Sequence, residues 1–90
     1  MKIKVLEQTS APRILLYLLG QGRAMRKELR DRINASQPAI YRAIAVLLES
    51  GLAREVKEDH FPYRIWLELT DKGRKVAELL SQIEEVLQNP

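Results

Sequence analysis

Two apolar stripes at helical spacing, separated by only about four residues, constrain this chain more than any other feature. Met25, Leu29 and Ile33 recur every four residues through a charged segment, and Ile40, Ile44 and Leu47 form a second stripe ending at Gly51. Residues at such spacings share one face of an α-helix, so each segment must lay that face on a core. Asn34, Ala35 and Ser36 make the turn between them; Ser36 or Gln37 stands at the cap and Pro38 in the first turn, where a missing N–H is harmless. Two helices joined this tightly have helix-turn-helix spacing.

The flanking segments extend the pattern. Thr9 or Ser10 stands as cap and Pro12 in the first turn of an earlier helix carrying Ile14, Leu15, Leu18 and Leu19, with Gly20 and Gly22 as its stop. Ile3, Val5 and Leu6 precede it in a lead compatible with either an extended or a helical state. After Gly51 the period shortens to two. Tyr63, Ile65, Leu67 and Leu69 alternate with Arg64, Trp66 and Glu68, which predicts a half-buried strand, with residues 52–57 as antiparallel partner and 58–62 as the hairpin tip. Trp66 falls on the outer face, to be covered by the lead, the last helix or a second subunit. Thr70 or Asp71 then caps a final helix with Val76, Leu79, Leu80, Ile83, Val86 and Leu87 along one seam.

Ninety residues with 46% hydrophobic and 30% charged side chains make one small globular domain. No apolar stretch approaches the roughly 20 residues needed to cross a bilayer, and no secretory leader is evident, so a cytoplasmic protein without membrane partners is expected. Without cysteine, and with His60 alone at the hairpin tip, the chain offers no metal-ligand pattern. A nucleophile with a partnering base is also missing, so neither an enzyme nor a cofactor is expected. The net charge of +3 is modest, but six cations against two acids between Arg23 and Arg42 concentrate +4 there, while Val76 onward carries acids and no cation.

Residues 35–52, ASQPAIYRAIAVLLESGL, resemble the recognition-helix segment of ArsR-type repressors, and the Tyr41-Arg42 pair is similar to that of PadR-type regulators. Leu69-Thr70-Asp71-Lys72-Gly73-Arg74 resembles the strand-to-helix junction of MarR- and PadR-type proteins. With the helical spacing ahead of them, these motifs extend the resemblance over about residues 10–80. It implies a mainly α winged helix-turn-helix: a three-helix bundle, a β-hairpin wing over 52–69 and a C-terminal helix. It further implies a homodimeric transcriptional regulator, a repressor, with the third helix, 36–50, in the major groove of double-stranded DNA. The metal-sensing cysteine motif of some ArsR proteins is absent, one helix after the wing leaves little room for an effector domain, and the sequence leaves any small-molecule effector open.

With its stripe inward, the third helix turns Gln37, Tyr41, Arg42 and Ala45 to solvent. Arg42 can pair bidentately with guanine and Gln37 with adenine, while Ser36 and the Tyr41 hydroxyl suit phosphate oxygens. Arg23, Arg26, Lys27 and Arg30 before the reading helix, and Arg54, Lys57 and Arg64 in the wing, are further phosphate candidates. Glu58 and Asp59 at the wing tip oppose deep insertion into a groove. Residues 1–75 are read as the DNA-binding domain and 76–90 as its dimerisation element, through Leu79, Leu80, Ile83, Val86 and Leu87. A winged helix serving as a protein-interaction module, and an architectural protein coating DNA without sequence preference, are the competing readings.

Overall fold

The computed structural model describes residues 2–8 and 10–89; Met1, Pro90 and the cap candidate Thr9 lie outside them. The lead folds as a 3₁₀-helix, Lys2–Glu7, with Val5 and Leu6 packed against the core. Helix α1, Ala11–Gln21, follows with Ala11, Ile14, Leu15 and Leu18 buried. Ser10 occupies its N-cap position without capping: its Oγ is buried and makes no hydrogen bond among the described residues. Gly20 lies inside α1. The stop is Gly22 alone, at φ 88°, where the N–H returns to the Leu18 carbonyl at 2.8 Å.

Helices α2, Arg26–Arg32, and α3, Gln37–Glu49, form the tight pair expected from their stripes. Ser36 caps α3, its Oγ accepting the Ala39 N–H at 3.3 Å. Strands β2, Ala53–Lys57, and β3, Ile65–Leu69, then form the hairpin, and α4 runs over Asp71–Gln88 behind Thr70. The Thr70 hydroxyl accepts the Gly73 N–H at 3.0 Å and donates to the Gly51 carbonyl at 2.6 Å. These two hydrogen bonds fix the corner where the wing returns to the core. No described helix is long and apolar enough to cross a membrane.

A third strand, β1, Arg23–Ala24, was not expected. It pairs antiparallel with β3, Arg23 opposite Glu68 and Ala24 opposite Leu67, and gives the sheet order β1-β3-β2. Two residues are too short to show a period, so only the tertiary pairing reveals the strand. The alternation over 63–69 also shortens. Leu67 and Leu69 are buried, but Ile65 is exposed, and Tyr63 stands before the strand at φ 59° with its side chain in water. The hairpin projects beyond the body there, so its inner face has nothing to cover it.

Helix α1 lies at the centre, against α3, α4 and β3. Ile14, Leu15, Leu18, Leu29, Ile40, Ile44 and Leu47 are all at most 1% exposed and join α1, α2 and α3 in one core. On α4, Gly73 and Ala77 are buried and Val76 and Leu80 lean on the core, whereas Leu79, Ile83, Val86 and Leu87 face solvent. Leu79 and Leu80 thus part company, because a step of one residue turns a helix by about 100°.

Candidate nucleic-acid interface

The burial of Ile40, Ala43, Ile44 and Leu47 orients α3 and leaves Gln37, Tyr41, Arg42 and Ala45 exposed along one side. Gln37 Nε2 donates to the Tyr41 hydroxyl at 3.2 Å, one turn along. The second amide hydrogen and the carbonyl of Gln37 remain for another partner. Arg42 forms no ion pair among the described residues, so its guanidinium presents all its donors to solvent. The turn in front of α3 is fastened by Arg13, whose Nη1 donates to the Asn34 carbonyl at 2.9 Å. Tyr17 joins α1 to α2 by donating to the Glu28 carboxylate; this bond, then burial and the Glu28 charge, raise the phenol above its ordinary pKa.

The cations around α3 divide into two sets. Lys27 and Lys57 are exposed and without an ion pair among the described residues. Arg26 reaches Glu55 on β2 at 2.9 Å, Arg54 meets Glu68 across the hairpin at 3.4 Å, and Arg30 lies 3.6 Å from Asp31. The pairing of Arg54 with Glu68 follows from strand register, which sets them directly opposite. Sequence spacing does not show the Arg26–Glu55 contact, which spans 29 residues. Exposed pairs of this kind contribute only about 0.2–1 kcal/mol, so a phosphate can displace the glutamate at little cost.

Arg23, exposed on β1, lies over an aromatic ring. Its guanidinium carbon stacks 4.0 Å from the centroid of the Trp66 ring. One face of Trp66 is therefore covered by Arg23 of β1. Glu58, read from the sequence as an acid at the wing tip, is folded back on the hairpin: Oε2 accepts the Trp66 indole N–H at 2.9 Å, Oε1 accepts the Arg64 N–H at 3.2 Å, and Arg64 Nη1 lies 3.7 Å away. Its charge is compensated within the wing. The projecting tip still exposes Asp59 and also carries Phe61 and Tyr63, edge to face with centroids 6.4 Å apart.

The bond from Trp66 lowers the Glu58 pKa most; burial opposes it, and the Arg64 N–H and the Arg64 and Arg23 charges add to the lowering. A depressed folded pKa means that the latch contributes stability above the ordinary carboxylate range and loses it as the pH falls through the lowered value. Trp66 is the only tryptophan, so its emission reports this latch. We expect an emission change centred below the ordinary carboxylate range that is missing in Glu58→Gln. The same acid transition in that variant would assign it to another group.

A helix-turn-helix whose second helix is exposed along one polar side, followed by an antiparallel hairpin wing, defines the winged-helix fold. The HxlR-like helix-turn-helix family model matches residues 12–89, and the chain belongs to that family. The ArsR-, PadR- and MarR-type likenesses had pointed to the same winged-helix class. Transcriptional regulator AdcR of Streptococcus pneumoniae is 33% identical over 70 residues, which cover 78% of this chain and 48% of that regulator, so the chain spans about half its length. Among solved structures, a transcriptional regulator homologue protein from Pyrococcus horikoshii superposes with a TM-score of 0.75 at 22% identity, covering 93% of this chain and 85% of its own. The adhesin competence repressor AdcR of Streptococcus pyogenes gives 0.75 at 24% identity, covering 87% of this chain and 57% of its own. At these identities the likeness to the two solved structures is one of fold.

Proposed function

We propose that this chain binds double-stranded DNA sequence-specifically as a homodimer and regulates transcription by occupying a promoter. The observation that carries the reading is the exposed row Gln37, Tyr41 and Arg42 on a helix oriented by a fully buried stripe. With α3 in the major groove, Arg42 pairs with guanine O6 and N7, and Gln37, already oriented by Tyr41, pairs with adenine N6 and N7. Ser36 and Tyr41 take phosphate oxygens at the start of the helix. Lys27 and Lys57 bind the backbone directly; Arg26, Arg54 and Arg64 do so by exchanging Glu55, Glu68 and Glu58 for phosphate. Residues 1–75 serve as the reading domain and 76–90 as the dimerisation element, through the α4 stripe.

If the dimer engages six to ten phosphates, log affinity falls against log salt with a slope of roughly −5 to −9. Arg42→Ala should cost roughly 1–3 kcal/mol on a site selected from random duplexes and flatten preference at one base pair per half-site, whereas Lys27→Ala should weaken all sequences alike. A slope near zero would leave the fold as a protein-interaction module. Equal losses on selected and random DNA for both variants would make it an architectural binder.

A further inference from the structure

We infer that the α4 helix of a second copy lies antiparallel on this one, and that its Val86 and Leu87 fill the apolar cavity between the 3₁₀-helix and the start of α4. The inference rests on the homodimer reading above and adds the register and the receptor of the contact. Its starting point is a stripe that the fold leaves uncovered. Leu79, Ile83, Val86 and Leu87 are 48%, 54%, 71% and 78% exposed, and Ile3 is 58% exposed. A contiguous apolar surface of a few hundred Å² on a small soluble domain marks a contact site, and a two-fold doubles it toward the roughly 1,000 Å² that a specific interface needs.

At the other end of the same helix lies a cavity of about 430 Å³ lined by Ile3, Val5, Leu6, Leu52, Val76 and Lys72 among others. Interiors pack to near-crystalline density, and a void with aliphatic walls loses dispersion contacts while offering water few polar partners. An aliphatic occupant suits it best. Lys72, Val76, Leu79 and Ile83 follow one another at steps of four, three and four, so stripe and cavity share one side of α4.

The helix geometry supplies the occupant. Val76 and Val86 are ten residues apart, about 15 Å along the axis. In an antiparallel pair with its two-fold axis beside position 81, Val76 meets the partner's Val86 and Leu79 meets the partner's Ile83. Both cavities are then approached by the far end of the other helix. A parallel pair brings Leu87 against the partner's Leu87 and leaves both cavities empty.

Charge selects the same direction. Residues 71–77 of α4 carry three cations and one acid, net +2, while residues 78–88 carry three acids and no cation, net −3. The helix dipole adds positive potential to the first end and negative to the second. Antiparallel pairing sets opposite ends together; parallel pairing sets like against like.

The chain lacks cysteine, so an introduced thiol is unique. Val76→Cys and Val86→Cys, purified separately, mixed in equal amounts so that subunits exchange and then oxidised mildly, should shift about half of the protein to twice the chain mass on a non-reducing gel. Val86→Cys alone should stay at the single-chain mass. Efficient cross-linking of Val86→Cys to itself would overturn the antiparallel register. A wild-type dimer in sedimentation that yields no mixed cross-link would also overturn the inference while leaving the homodimer standing. So would a small apolar molecule retained by that dimer in native mass spectrometry. A wild-type monomer at tens of micromolar would remove the homodimer reading itself.

Discussion

Gly73→Ala is expected to destabilise the domain by about 3 kcal/mol or more, a large share of the roughly 5–15 kcal/mol that holds a small protein folded. Helix propensity alone gives the opposite sign, since alanine is favoured over glycine by about 1 kcal/mol inside a helix. Steric overlap decides. A Cβ at this position would stand 1.7 Å from the Leu52 carbonyl oxygen and 2.7 Å from its carbon. These are backbone atoms, and they cannot swing aside as a side-chain tip would. Leu52 is held by its own N–H bond to the Leu47 carbonyl at 3.0 Å and by accepting the Thr70 N–H at 3.1 Å. Relief therefore requires α4 to lift off the start of the wing, which loosens Ala77 and Leu69 together. Denaturant unfolding of the variant measures the loss. Wild-type stability in Gly73→Ala would mean that α4 does not seat on Leu52 as described.

Ile83→Glu should abolish dimerisation while leaving the fold intact, and should weaken binding to a full two-half-site DNA by roughly 10²–10⁴. Ile83 is more than half exposed and stands outside the core, so the monomer loses little. In the paired state the same carboxylate is buried among apolar side chains of two helices, with the partner's Leu79 opposite it. A two-fold dimer spans half-sites centred about 34 Å apart, roughly 10 base pairs, or a multiple of that. Losing the partner removes the second, effectively intramolecular contact, so affinity for an isolated half-site should barely change. Sedimentation and titrations on full and half-sites check this pair of effects. An Ile83→Glu chain that still sediments as a dimer would place the interface away from the α4 stripe.

The face of α3 that carries the candidate readers was legible in the sequence because helical period and burial are coupled locally. Once Ile40, Ile44 and Leu47 must be buried, Gln37, Tyr41 and Arg42 have only the outside left. Thr70 was legible as a candidate cap, but Gly73 only as part of a motif. Its physical reason, a helix seated on a carbonyl beside that cap, needs Leu52 from the far side of the hairpin. The wing shows the same limit. Alternation located β3 but overran it at Tyr63 and turned Ile65 inward where the strand leaves it exposed, because a period of two records a pleat and not how far the body beneath it extends.

Local periodicity and punctuation therefore determined the helices, their inward faces, the turn between α2 and α3, and the existence of the hairpin. Only the tertiary structure decided the partners of the charges and the aromatics. Arg23 is one cation in a basic stretch until β1 pairs with β3 and sets it over Trp66; Glu58 is a tip acid until the hairpin closes on the indole; Arg26 is free until β2 brings Glu55 beside it. These choices depend on contacts between residues far apart in the chain. Exposed ion pairs and a single stacking contact are worth about 1 kcal/mol or less each, too little to dictate a fold and so too little to leave a pattern in the sequence. Core burial, at roughly 1.5–3 kcal/mol for each large aliphatic side chain, is strong enough to impose its spacing on the chain, and the surface pairs form where the folded backbone happens to bring them together.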